Sequence, residues 1–165
     1  MITRSVKLSL LAAVALFYTL VVFNNLTDFN SNYEFVHHVL LMDSTFPGNH
    51  GMGRSISSPS IQLAFYWSII LWEIATTILL GWGVINLLRA FRSSAAAFNM
   101  AKRVAIVALA VSLLMWLVAF QEIGGEWFLM WQSHSWNGQE KAFIDFVQVA
   151  LVLLLLLHPE SEAQP

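Results

Sequence analysis

An all-α, four-helix transmembrane bundle is the fold this sequence predicts, with both termini cytoplasmic and a short periplasmic interfacial helix. Three observations lead there. Of 165 residues, 58% are hydrophobic and 11% are charged, whereas a soluble domain carries about 25% charged residues. The apolar residues gather into four long stretches, each close to or above the ~17–25 residues that cross a hydrocarbon layer, the last being the shortest. All four prolines, Pro47, Pro59, Pro159 and Pro165, fall outside those stretches, so no helix interior loses a backbone hydrogen bond.

The first span covers about residues 5–26. Arg4 and Lys7 followed by Ala13-Val14-Ala15 imitate a signal peptide. Only Leu8 to Ala12 would precede such a cleavage site, less than the ~7–15 apolar residues required. An uncleaved transmembrane helix is therefore expected. The first outer connection, residues 27–59, holds Ser31-x-x-Glu34, a capping-box pattern ahead of an apolar run. It predicts a short helix from Asn32 to Met42 at the membrane surface, stopped at Asp43 to Gly48. Ser58-Pro59 puts a cap residue before proline at the first helical position, opening the second span at 60–88. Ser93-Ser94 can cap the helix entering the third span, 101–123, which Gly124-Gly125 interrupts near its outer end. The second outer connection, 124–141, carries Trp127, Phe128, Trp131 and Trp136. Asn137 can cap the fourth span, 142–157.

Orientation follows from lysine and arginine. Arg4, Lys7, Arg89, Arg92, Lys102 and Arg103 flank one side of the spans, and only Arg54 and Lys141 flank the other. Positive residues stay in the cytoplasm, so both termini of this multi-pass chain are expected inside. The acidic tail after His158 adds little to this rule. The net charge of −2 and the lack of a basic stripe leave no footprint for nucleic acid. Without cysteine, disulfides, iron–sulfur clusters, thiolate-ligated haem and a Cys nucleophile are excluded. No Gly-rich phosphate loop, Ser/His/Asp set or HExxH motif occurs, and no cofactor is implied.

Most polar interruptions of the spans fall at one level, at their outer ends. The candidate polar site comprises Asn24, Asn25, Asp28, Arg54, Glu73, Gln121, Glu122, Glu126 and Asp145, with Gln62 and Gln148 nearby. Glu73 stands out, because an intramembrane carboxylate is costly unless paired, protonated or wetted. From Ile61, the helix rise puts it roughly 18 Å along the second span, near mid-bilayer. Gln62, Tyr66, Glu73 and Thr76 or Thr77 share one face, expected to turn into the bundle. A proton or cation site and a simple interhelical hydrogen bond both fit. The outer carboxylates Asp28, Glu122, Glu126 and Asp145 could instead cap helices at the headgroups, with Arg54 or Lys141 as the available cation partners. Glu34, His38 and Met42 step by four and could present a metal-binding face. Adjacent His37 and His38, however, point about 100° apart, so no metal is assigned. The tryptophans read as an aromatic belt or as a lid over the polar site.

The outer segments resemble a known bacterial family, the predicted small integral membrane proteins of domain of unknown function 2165. Asn24-Asn25-Leu26-Thr27-Asp28 with Asn32, then Phe35-Val36-x-His38-Val39-Leu40 with Met42-Asp43 and Thr45-Phe46-Pro47, carry the likeness. Arg54 to Pro59, Glu73, Gly124-Gly125-Glu126-Trp127-Phe128, Met130-Trp131-Gln132 and Trp136-Asn137-Gly138-Gln139 continue it over nearly the whole chain. The family pattern does not require both histidines, which argues further against a histidine-held metal. The resemblance implies a four-helix, multi-pass protein of the bacterial inner (cytoplasmic) membrane and no particular activity.

The expected function is therefore a non-enzymatic accessory or assembly subunit embedded in the lipid bilayer. It would engage a protein partner, or further copies of itself, through an outer surface of His38, Met42, Asp43, Trp127, Trp131, Gln132 and Trp136. The alternative is an oligomeric transporter or proton- or cation-handling protein using Glu73 and Glu122. A membrane enzyme or cofactor binder built on the outer carboxylates ranks last.

Overall fold

The computed structural model describes residues 1–161, which form helices and turns and no strand. Helix α1 (Ile2–Thr27) buries Arg4, Lys7, Leu11 and Tyr18, a stripe at the three-, four- and seven-residue steps of one helix face. The chain then turns at a single residue. Asp28 donates its backbone N–H to Asn24 O at 2.8 Å and begins α2 (Phe29–Leu41) at once. The surface helix thus starts three residues earlier than the expected Asn32, and the Ser31/Glu34 capping box does not form. Both residues lie inside α2, where the backbone corner at Asp28 has already set the start. Helix α2 ends at Met42, whose φ of 56° is left-handed, a conformation that closes helices by freeing the chain to turn.

Helix α3 (Pro59–Arg89) has 31 residues and so extends about 46 Å, well beyond a hydrocarbon layer of about 30 Å. Pro59 opens it as expected. Its buried face is Gln62, Tyr66, Ile70, Glu73, Thr76, Leu80, Gly83 and Leu87, the face read from the sequence and its continuation. Leu71, Ile78 and Ile85 are exposed on the far side, an apolar exterior suited to lipid. Helix α2 packs on α3. Phe29 meets Tyr66 edge-on at 4.8 Å between ring centroids, and Trp67 lies at 5.4 Å.

Ser94 caps α4 (Ala95–Ala101), its side chain accepting from Ala97 N–H at 3.3 Å. Helix α5 (Arg103–Leu114) follows, and Met115–Trp127 continues it as a π-helix. The expected break at Gly124-Gly125 is therefore absent. The glycines serve close packing instead: a Cβ on Gly124 would meet the Met130 side chain, and one on Gly125 would meet the amide of Gln139. Helix α6 (Gln139–Leu157) begins three residues before the expected 142. Asn137 lies one residue before its Gly138 cap yet accepts from Gln139 N–H at 3.0 Å.

Helix α1 packs on α3, α3 on α5, α5 on α6, and α6 back on α1. Leu11, Tyr18, Leu80, Leu87, Phe98, Leu109 and Leu156 fill the space between them. Three helical stretches are long and apolar enough to cross a membrane: α1, α3 and Ala95–Trp127. The fourth expected span lies on α6, whose first two turns carry Glu140, Lys141 and Asp145.

At the end where α1 begins, a polar cluster closes the structure. Lys7, fully buried, donates to His158 O at 2.6 Å and to Glu160 Oε1 at 2.7 Å. Arg4 donates to the carbonyls of Phe91 at 2.9 Å and Ser93 at 2.7 Å, and lies 3.7 Å from Glu160 Oε2. Lys102 donates to His158 O at 3.0 Å. Asn99 exchanges two hydrogen bonds with the Glu160 backbone, at 3.0 and 2.9 Å. From the sequence, Arg4, Lys7 and Lys102 serve only to orient the chain, and the acidic tail carries little weight in that. The structure adds that they form one clasp. The signal was available, because Arg4 and Lys7 lie in register with Leu11 and Tyr18.

Candidate functional site

Five helical elements converge on a cavity of about 390 Å³. Asn24 and Asn25 come from the last turns of α1, Asn32 from α2, Tyr66 and Glu73 from α3, and Lys141 and Asp145 from α6. Phe17, Trp116 and Phe120 add aromatic walls. Glu73 is 2% exposed. Asn25 donates from Nδ2 to Glu73 Oε2 at 2.6 Å. Tyr66 in turn donates toward Asn25, to its Oδ1 at 3.2 Å and its backbone O at 3.3 Å. The second oxygen, Glu73 Oε1, has no hydrogen bond among the described residues. A neutral acid would keep an O–H to donate, and a carboxylate would keep lone pairs to fill. In either state the oxygen is left for the cavity that Glu73 lines. Trp116 lines the same cavity, and its indole N–H is buried without a hydrogen bond of good geometry.

Above this cavity a second network fixes α2 to α3. Gln62 Oε1 accepts from Tyr33 OH at 3.2 Å and contacts His37 Nδ1 at 2.7 Å. Gln62 Nε2 donates to Ile56 O at 2.7 Å. The fully buried Gln62 thus uses both ends of its amide, as a buried polar side chain must.

Of the predicted polar residues, the structure brings Asn24, Asn25, Glu73 and Asp145 together and leaves the others apart. The depth estimate had separated Glu73, at mid-bilayer, from Asp145, at the headgroups. Both line one cavity, because Glu73 bonds to Asn25, only two residues before α1 ends. The long α3 continues outward beyond that level under α2. Asp28, Glu122 and Glu126 are exposed and lie outside the cavity. Gln121 bonds to Gln139 O at 2.9 Å and joins the π-helix to α6. Arg54 reaches no carboxylate among the described residues. It donates to the carbonyls of Trp127 at 3.1 Å and Glu126 at 3.4 Å, with its guanidinium 5.2 Å from the Trp127 ring centroid. Lys141 pairs with Asp145 one turn on.

The outer connections are tied to each other. Ser44 donates to Ser133 Oγ at 2.8 Å, and Phe46 N–H donates to Gln132 Oε1 at 3.1 Å. His38 stacks on Trp136 at 4.4 Å and bonds to Asp43 at 2.7 Å. Met42 is 2% exposed, so it leaves the predicted interaction surface. Its left-handed turn points it inward against Leu40 and Phe128. Outward remain Asp43, Trp127, Trp131 and a residue the sequence reading did not select, Phe46. The rings of Phe46 and Trp131 meet edge-to-face at 5.7 Å, and both are about half exposed. Only the fold brings Phe46 beside Trp131.

Apolar helices with lipid-suited exteriors, closed around a buried carboxylate, define a small helical integral membrane protein. The chain belongs to the family of predicted small integral membrane proteins of DUF2165, whose model matches residues 3–159. No curated protein and no solved structure matches the chain.

Proposed function

We propose that this protein is a non-enzymatic accessory or assembly subunit of the bacterial inner membrane, acting through its outer cap. In this reading α6 is a fourth span. Its outward Leu151, Leu154 and Leu157 are exposed like the lipid-facing residues of α3. Its charged residues lie only in its first two turns, where Lys141 can reach the headgroups. Positive-inside flanks then put both termini in the cytoplasm and the cap in the periplasm.

The observation that carries the proposal is the cap itself. Two connections far apart in sequence are bonded into one body by Ser44–Ser133, Phe46–Gln132 and Arg54 on the Trp127 carbonyl. That body presents Phe46 and Trp131 outward as a fixed aromatic pair. Ordered aromatics on a rigid support resemble the anchors that dominate protein interfaces, and they lose little entropy on binding.

A photo-crosslinking side chain at Trp131, with a matched one at the lipid-facing Leu71, tests this in living cells. One discrete heteromeric adduct from position 131 and none from 71 is expected. Adducts to lipid alone from both positions would mean that the tryptophans form an aromatic belt and nothing more. The alternative, proton or cation handling by Glu73 with Glu122, loses its second member, because Glu122 is exposed outside the cavity.

A further inference from the structure

We propose that the cavity at Glu73 and the groove between α1 and α6 together hold one phospholipid with a primary-amine head. The ammonium would sit on Glu73 and Asp145, and the phosphate on Lys141. This goes beyond the role of the cap and does not depend on it.

The groove has a volume of about 560 Å³ and is walled by Leu10, Ala13 and Val14 of α1 and by Val149 and Val152 of α6. It shares Phe17 and Asp145 with the polar cavity, so the two spaces meet there. Helix α1 runs toward the cavity and α6 runs away from it. The polar groups therefore gather at one end, and the aliphatic wall trails from it. From Asp145 to Leu155, α6 advances about 15 Å, enough for much of an acyl chain. A polar head joined to a long apolar slot in a membrane protein has the outline of a lipid lying along the helices.

The head is chosen by charge and by open hydrogen bonds. Two carboxyl groups, Glu73 and Asp145, face one cation, Lys141. Lys141 pairs with Asp145, and Glu73, which lines the cavity, has no hydrogen bond on Oε1 among the described residues. One further positive group with N–H donors completes this set. Lys141 keeps 65% of its side chain exposed and lies 5.2 Å from the ring centroid of Phe17, which the cavity and the groove share. It is free there to meet a phosphate as well. An anionic head would oppose Glu73. A quaternary ammonium would bring charge but no N–H for Oε1. A small free amine would leave the groove unfilled.

Native mass spectrometry of the purified chain, titrated with phosphatidylethanolamine, phosphatidylcholine and phosphatidylglycerol, reads the preference directly. The expected result is one retained phosphatidylethanolamine, preferred about tenfold over the other two, the difference a charge-assisted hydrogen bond makes. Asp145→Asn should erase the preference. Ala13→Trp fills the groove from an exposed position and should abolish retention while the helical melting curve stays in place. Equal retention of all three lipids overturns the proposal. So does unchanged retention in Ala13→Trp, or a lipid-free dimer that fills the groove with a second copy.

Discussion

Gly83→Leu is expected to prevent the helices from assembling. Gly83 lies on the buried face of α3 opposite Ala105 of α5, and a Cβ placed there would lie 2.9 Å from both the Cα and the Cβ of Ala105. The obstacle is backbone, which cannot rotate away. Close approach at small residues is how membrane helices gain packing, since lipid supplies no hydrophobic drive between them. A leucine must push α3 and α5 apart along their contact, at a cost of about 3 kcal/mol or more. Even Gly83→Ala should cost about 1–2 kcal/mol. Thermal unfolding in detergent, followed by helical circular dichroism, checks both. A leucine variant that melts with the wild type would show that the α3–α5 contact is looser than described.

Glu160→Ala should have the next largest effect, at the opposite end of the molecule. Removing this carboxylate leaves Arg4 and Lys7 without their ion-pair partner among the described residues, and Lys7 is fully buried. Breaking a buried pair by deleting one partner costs about 3–5 kcal/mol, and the lower figure applies because His158 O still accepts from Lys7. The same clasp responds to pH. Burial opposes ionisation of Glu160, but the Lys7 hydrogen bond and the charges of Lys7, Arg4 and Lys102 outweigh it. Together they hold the carboxyl below its ordinary value of 4.5. A carboxyl depressed by folding stabilises the folded state fully above its unfolded pKa and loses that contribution as pH falls through the folded pKa. The wild type should therefore lose stability as acid passes below pH 4.5, and Glu160→Gln should show a smaller acid loss from a lower starting point. Identical acid profiles for the two would remove the clasp from the stability of the fold.

Much of this arrangement was legible in the sequence, for reasons that differ by residue. The buried face of α3 could be read because Gln62, Tyr66, Glu73 and Thr76 are polar exceptions in an apolar run, and helical spacing groups them without other knowledge. Pro59 and Ser94 mark helix starts by local chemistry, and both stand where expected. The start of α2 was misread because a one-residue backbone corner at Asp28 has no side-chain signature, whereas the unused Ser31/Glu34 pair does. The π-helix from Met115 to Trp127 was invisible because its widened turns follow no residue pattern, and Gly124-Gly125 reads as a break unless the facing Gln139 and Met130 are known. Depth along one helix could not show that Glu73 and Asp145 share a cavity, since that depends on how far α3 overhangs α1. The Phe46–Trp131 pair and the Glu160 clasp unite residues more than eighty positions apart, which only tertiary packing decides.

The most direct test of the cap as an interface is native mass spectrometry of the protein gently extracted from its own membrane. The wild type is compared with the double variant Phe46→Ala/Trp131→Ala. Both side chains are about half exposed and meet mainly each other, so their joint loss should cost about 1–2 kcal/mol and leave the protein folded. The expected result is a stoichiometric heteromeric complex in the wild type that is lost in the double variant while the variant still unfolds cooperatively, with at most a modestly lower melting temperature. A wild type found only as a monomer or homo-oligomer, or a complex equally populated in the double variant, would contradict it.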